Sequence, residues 1–316
     1  MQQRELGHSG LSIAPLVLGA NVFGWTADEA TSFRVLDAFV DGGGNAIDTA
    51  HGYSVWVPGH TGGESETIIG NWLKKRGRRD DIVIATKVGW EVAPDQKGLS
   101  KDYILRTVEG SLKRLQTDYI DLYQSHKDDP TVPVSEPLEA YAQLIKEGKV
   151  RAIGASNFSA ERLTEALQAS EQHGLPRYES LQPLYNLYDR ADFETHLLPV
   201  CQQHGIGVIP YYGLAAGFLT GKYRSEADLQ KSARGGGVGA KYLNEHGLRI
   251  LSALDEISGR LGATPAQVAL AWIMAQPGLT APIASATSSE QVQDLLNSMH
   301  LELSGQDLRQ LNQASA

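Results

Sequence analysis

The 316-residue sequence contains one cysteine, Cys201. It can form no internal disulfide and has no companion thiol for a zinc site, so neither device organises the fold, and no metal is expected. Positive charge is scarce as well: 28 Lys and Arg stand against 37 Asp and Glu, a formal charge of −9, and no basic block interrupts the chain. Binding to nucleic-acid phosphates would work against that field, so no nucleic-acid partner is expected. No apolar run approaches 18 residues, and the opening MQQRELGHSGLS lacks a basic segment followed by an apolar stretch. The expectation is a cytoplasmic protein without a membrane partner. Repeats, low-complexity tracts and linkers are missing too.

What remains is an ordinary globular composition with one excess. Hydrophobic residues make up 41%, and counting the 33 glycines while leaving out the 12 tyrosines brings the apolar share to roughly 47%. Glycine itself, at about 10%, exceeds the usual 7% or so and implies many tight turns. The length admits one domain or two.

Period decides between them. Strand-like runs fall at 13–19, 46–50, 82–88, 119–125, 150–156, 179–183, 206–211 and 280–284, separated by stretches of helical period. Thr26-Ala-Asp-Glu29 reads as a capping box ahead of Phe33, Leu36 and Val40, and Ser288-Ser-Glu-Gln291 repeats the device before Val292, Leu295 and Met299. Ile104, Val108, Leu112 and Leu115 give the same stripe within 102–116, and 304–315 reads as an appended polar helix. Parallel strands need crossover connections, so eight strands alternating with helices predict a closed (β/α)8 TIM barrel, one α/β domain over residues 1–316. An open doubly wound sheet is the alternative, but its G-x-G-x-x-G fingerprint is missing where 17–24 reads VLGANVFG. Two Gly-rich stretches that follow strands, 52–63 and 212–245, are expected as lid loops on the catalytic face.

Strand alternation groups the side chains that share a face: Ala46, Asp48 and Ala50; Val83, Ala85 and Lys87; Ile120, Leu122, Gln124 and His126. Each set ends in a polar or small group. An Asp, a Lys and a His would therefore converge at the barrel mouth with Tyr53 just beyond the second strand. A lysine in a dry mouth wants a carboxylate, and Asp48 is at hand. The ammonium beside Tyr53 would favour phenolate and is expected to pull the phenol below its ordinary value of about 10, making it a proton donor near neutral pH. His126 would orient a carbonyl.

At these residues the chain resembles the aldo-keto reductases, in particular the bacterial, potassium-channel β-subunit-like subclass. The resemblance runs through ELGHSGLSIAPLVLGA at 5–20, AIDTAHGY at 46–53, GGESETIIG at 62–70, IVIATKVG at 82–89, DYIDLYQSHKDDP at 118–130, GKVRAIGASNF at 148–158, QPLYN at 182–186, GVIPYYGL at 207–214, GFLTGKY at 217–223 and SSEQV at 288–292. It implies an N-terminal hairpin, a barrel and an extra C-terminal helix. It also implies an NADPH-dependent oxidoreductase that reduces an aldehyde or ketone to the alcohol, with Asp48, Tyr53, Lys87 and His126 as the catalytic tetrad and Tyr53 as general acid. NADP would lie along Gly19, Ala20, Asn21 and Asp48. Ser156, Asn157 and Gln182 would hold its carboxamide and Tyr211 would stack on its ring. Leu214, Gly217, Leu219 and Lys222 would cross its pyrophosphate, and Ser285, Thr287, Gln291 and Asp294 would hold its adenosine end.

This sequence departs from the family pattern in three places. Segment 284–287 (ASAT) has no basic residue for a 2′-phosphate, which leaves NADH as the alternative cofactor; Asp294-Leu295 replaces a Glu-Asn pair; and the loop from Tyr53 to Glu64 inserts Trp56, Pro58 and His60. Trp56, with Phe23, Trp25 and Trp90, is expected to wall a substrate pocket for a small-molecule carbonyl. A cofactor-binding regulatory subunit with the reductase fold is the alternative function. The absence of an N-terminal inactivating extension before Arg4 counts against it. An isomerase-type barrel would need a Glu base and a phosphate loop that are not visible.

Overall fold

The structure, a computed structural model, describes residues 2–231 and 235–316. It opens with an antiparallel hairpin, β1 (Arg4–Glu5) and β2 (Ser12–Ile13), which turns through Gly7 and Gly10, both at positive φ. Eight parallel strands follow: β3 (Val17–Gly19), β4 (Ala46–Asp48), β5 (Val83–Val88), β6 (Ile120–Ser125), β7 (Val150–Ser156), β8 (Ser180–Gln182), β9 (Gly207–Val208) and β10 (Ile283–Ala284). Their order is β10-β3-β4-β5-β6-β7-β8-β9. The first and last strands of that order meet as well. Thr280 N donates to Val208 O at 2.8 Å and Ile283 N to Pro210 O at 2.8 Å. This is the (β/α)8 barrel that eight strand-helix alternations predict.

All eight expected strands are present but several are shorter. Ladder pairing starts at Val17 rather than 13 and covers 283–284 rather than 280–284, because Pro15 and Pro282 have no N–H to give a ladder. Helices α1 (Glu29–Asp41), α2 (Glu64–Arg76), α3 (Lys101–Leu115), α4 (Ser135–Lys146), α5 (Ala160–His173) and α6 (Leu198–His204) follow their strands. Then come α7 (Gly235–Tyr242), α8 (Glu245–Leu261), α9 (Pro265–Met274), α10 (Ser289–Ser298) and α11 (Gly305–Ala314). Helix α1 is capped by Asp28, whose side chain accepts from Thr31 N, and not by Thr26. Asp28 lies next to the first helical residue, so its carboxylate reaches the orphan amides first. Ser288 caps α10 as expected, while the Gln291 side chain accepts from Thr287 N instead of closing the box. The stretch 212–245 is not one loop: it contains 3-10 turns at Ala215–Thr220 and Glu226–Lys231 and then α7, with residues 232–234 lying outside the described residues.

The core has two layers. Inside the barrel, Val17, Ala46, Ala85, Leu122, Ala152 and Ile283 pack with Leu6, Leu11 and Ile13 of the hairpin. Between sheet and helices, Leu18, Ile47, Ile84, Tyr123 and Ile153 point outward into the larger cluster. Small inward residues keep the barrel interior narrow. Gly154 is the extreme case: a Cβ there would stand 2.2 Å from Ser180 Oγ. The next inward layer toward the strand ends is Asp48, Lys87, Gln124, Ser156 and Gln182. A barrel built on that alternation delivers polar side chains to its C-terminal mouth.

Candidate active site

Lys87 is wholly buried and uses all three of its donors. Its Nζ stands 2.7 Å from Asp48 Oδ2, 2.8 Å from Thr49 O and 2.7 Å from Tyr53 Oη. An ammonium has three N–H groups, and each is aimed at one acceptor. Tyr53 Oη donates to Asp48 Oδ2 at 3.3 Å. The other oxygen of Asp48 accepts from Gln182 Nε2 at 2.9 Å and Gln124 Nε2 at 3.2 Å. Burying such a charge pair is costly unless every lone pair is met, and here four bonds converge on one carboxylate.

Tyr53 reaches this cluster from the turn after β4. Ser54 holds positive φ and its hydroxyl is fixed to Phe23 O at 2.8 Å, while Tyr53 N donates to Ala50 O. His126 follows β6 directly, with its N–H on Val88 O at 2.8 Å. Its ring lies 5.9 Å from the Tyr53 ring and 5.0 Å from that of Trp90. The His126 Nδ1 is shut off from solvent and has no hydrogen-bond partner among the described residues.

Burial sets the protonation of all three groups. It pushes the Tyr53 phenol well above its ordinary 10.0, with Asp48 adding to the shift. This reverses the expected lowering: loss of water around the phenolate, together with the Asp48 charge, outweighs the lysine. Burial also lowers Lys87 from 10.5, against the opposing pull of Asp48, and lowers His126 well below 6.5, helped by the Lys87 charge. The site therefore holds a protonated phenol and a neutral imidazole at neutral pH.

Two adjoining cavities open around these groups. One of about 390 Å³ is lined by Tyr53, His126, Trp56, Trp90, Lys127 and Tyr211 over a floor of Gly19, Asp48, Ser156, Asn157 and Gln182. The other, about 430 Å³, is lined by Leu214, Gly217, Lys222, Ser285, Thr287, Gln291 and Asp294. Asn21, Tyr212 and Ile283 belong to both, which makes one continuous groove. Gly19 keeps its floor open, since a Cβ there would meet Ser285 Oγ at 2.6 Å and Ile283 at 3.0 Å. Gly217 sits at φ +95° with Lys222 Nζ 3.1 Å from the position of a Cβ.

Most of the residues expected at a site line this groove. Four do not: Lys87 is buried against Asp48 and Tyr53, and Ala20, Phe23 and Leu219 are wholly buried in the packing beneath it. Phe23 turns inward because the segment after β3 folds back through Ser54, so its ring joins the core instead of a pocket wall. Trp25 faces the second cavity and meets the edge of Trp56, with ring centroids 5.6 Å apart. Asn157 is fully engaged: its amide nitrogen donates to His126 O and Ser156 Oγ, and its oxygen accepts from Tyr211 Oη at 2.8 Å. Asp294 accepts from Thr264 Oγ1 and Gln267 Nε2 at the start of α9. Glu66 is buried between Thr86 Oγ1 and Arg114 Nε. Sequence reasoning passed over Tyr212 and Lys127. Tyr212 could have been suspected from Tyr211-Tyr212-Gly213, where the chain turns through φ +57°.

Among the described residues no group of three His, Cys, Asp or Glu could hold a metal, and no helix is long and apolar enough to cross a membrane.

Comparison with known proteins gives a uniform result. The model of the Aldo/keto reductase family matches residues 15–316. The oxidoreductase YrpG of Bacillus subtilis is 38% identical over 99% of this chain and 95% of its own length. Protein tas of Escherichia coli is 36% identical over 96% of this chain and 94% of its own. A probable voltage-gated potassium channel subunit beta of Arabidopsis thaliana is 36% identical over 93% and 90%.

Proposed function

Because the chain belongs to the aldo/keto reductase family and is an NAD(P)H-dependent oxidoreductase, we propose that it reduces an aldehyde or ketone to the alcohol, with Tyr53 as the proton donor and NADPH as the preferred cofactor. The observation that carries this reading is the 2.7 Å bond from Lys87 Nζ to Tyr53 Oη beside His126.

The chemistry of the groove suits a dinucleotide. Asn21, Ser156, Asn157 and Gln182 offer amide and hydroxyl groups around one end, Tyr211 a ring face, and Gly217 with Lys222 a close backbone and a positive charge for a pyrophosphate. Ser285, Thr287 and Gln291 lie at the N-terminus of α10, where free amides favour a phosphate. These hydroxyls and amides stand in for the missing basic residue, and the preference for NADPH rests on them. A bound reduced nicotinamide would supply the hydride.

The chain's own side chains do the rest. Neutral His126, with its N–H placed on Nε2, donates a hydrogen bond that positions the carbonyl oxygen. Tyr53 passes its proton to that oxygen as negative charge develops there, so the product leaves as a neutral alcohol. Lys87 stabilises the phenolate left behind through the bond it already makes, and Asp48 holds Lys87 in place. Water then restores the phenol. A phenol held well above 10 keeps its proton at neutral pH, which favours reduction over alcohol oxidation.

The test is to titrate the protein with NADPH and with NADH by fluorescence, then follow NADPH consumption over a panel of aldehydes with the alcohol quantified. One alcohol formed per NADPH consumed is expected. Tight cofactor binding with no turnover on any carbonyl would overturn the enzymatic reading.

A further inference from the structure

Lys127 lies in the wall of the cavity that holds Tyr53 and His126. The carboxylate in that lining, Asp48, is spent on the buried Lys87 at 2.7 Å. The acidic neighbours of Lys127 make their hydrogen bonds elsewhere, although Asp129 lies near enough to feel its charge. Asp128 is clamped by two nitrogens of Arg162, at 2.8 and 2.9 Å, and Asp129 accepts from Leu99 N and from the amide and hydroxyl of Thr131. Among the described residues Lys127 Nζ makes no hydrogen bond or ion pair; its contact is with the face of Trp90, 5.6 Å from the ring centroid. Trp90 in turn stands 5.0 Å from the His126 ring and is 42% exposed. The cavity thus has an imidazole and an ammonium that both lie against one indole.

Resting on the reductase reading above, we propose that Lys127 selects substrates which carry a carboxylate as well as the carbonyl, on an aromatic body that lies along Trp90 and Trp56. The geometry gives the two ends different partners. The carbonyl oxygen goes to His126 and Tyr53, the flat middle to the two exposed indoles, and the carboxylate to Lys127 at the mouth. An ammonium without a protein acceptor gains a charged hydrogen bond with no competing bond to break, and such bonds contribute more than neutral ones. A neutral carbonyl compound of similar shape keeps the carbonyl contact and the stacking but offers Lys127 no charged acceptor.

The experiment compares 4-formylbenzoate with its methyl ester, a neutral compound of the same length, in calorimetric titrations of the protein with NADP⁺ present. Wild-type protein should bind the acid about tenfold more tightly than the ester. Raising the salt should shrink the gap. Lys127→Met should bring the two to equal affinity, and Lys127→Arg should keep the preference. Equal affinities in the wild type, no binding of the acid, or a preference untouched in Lys127→Met would overturn the assignment. Steady-state rates on the same pair separate the two readings. A binding preference that disappears in Lys127→Met without any NADPH-dependent turnover leaves Lys127 as an anion selector and refutes the reductase. Turnover with equal KM for acid and ester does the reverse.

Discussion

Lys87 Nζ lies 2.7 Å from Tyr53 Oη and the same distance from Asp48 Oδ2, so one wholly buried ammonium joins the phenol to the carboxylate with which it pairs. Removing the lysine breaks two things at once. Lys87→Met leaves Asp48 buried and unpaired, which should cost about 3–5 kcal/mol of stability. It also removes the group that stabilises the phenolate, which should lower the reduction rate by about 10²–10⁴-fold. The double variant Asp48→Asn/Lys87→Met separates the effects: denaturant unfolding should show much of the stability regained, with activity still lost. Activity regained along with stability would mean that the pair only supports the fold.

The pH profile of reduction follows from the directions of three shifts. His126 is lowered well below 6.5, Tyr53 is raised well above 10.0, and Lys87 is lowered from 10.5. Between the first and the last none of them changes charge, so kcat/KM should be flat from about pH 6.5 until Lys87 loses its proton on the alkaline side. A break near 6.5 would mean that His126 titrates as an exposed histidine does.

Stability carries a related signature. His51 and His126 are both pushed below 6.5 by burial. Above that pH both are neutral in the folded and unfolded chains. As the pH falls through 6.5 the unfolded chain takes up protons which the folded protein refuses, so stability drops. Thermal melts should show a fall in Tm from pH 7 to pH 5, reduced in His126→Gln. A Tm constant over that range would contradict the depressed values.

Packing makes its own prediction at Gly70, on α2 where it crosses α3. A Cβ there would stand 2.0 Å from Arg114 O and 2.8 Å from the carbonyl carbon of Leu115. Gly70→Ala should therefore destabilise the protein by about 1–3 kcal/mol despite alanine's better helix propensity. Gly259, in α8, has nothing within 4 Å of such a Cβ, and Gly259→Ala should stabilise by up to about 1 kcal/mol. Urea unfolding of the two variants checks both signs.

The barrel was legible because its signal is a period. Ala46/Asp48, Ala85/Lys87 and Leu122/Gln124 alternate with Ile47, Thr86 and Tyr123, and that alone places Asp48 and Lys87 on one inner face. What escaped depends on where loops fold and on how dry a site is. Phe23 reads as an aromatic near the mouth, yet the Ser54 hydroxyl draws that turn inward and the ring is buried. The pKa of Tyr53 was misjudged in sign because residue identity shows the lysine but not the loss of water, which dominates. Lys127 sits in the sequence between a histidine and two aspartates, and that its ammonium makes no ion pair among the described residues emerges only from the fold, where Arg162 takes Asp128.

The most direct test of the account is hydride transfer by Tyr53→Phe in a single turnover, with NADPH pre-bound and an aldehyde the wild type reduces. The phenylalanine keeps the ring in its place against Trp56 and His126 and removes only the hydroxyl. The account predicts a rate lower by about 10²–10⁴-fold with NADPH affinity unchanged. Full activity in Tyr53→Phe would contradict it.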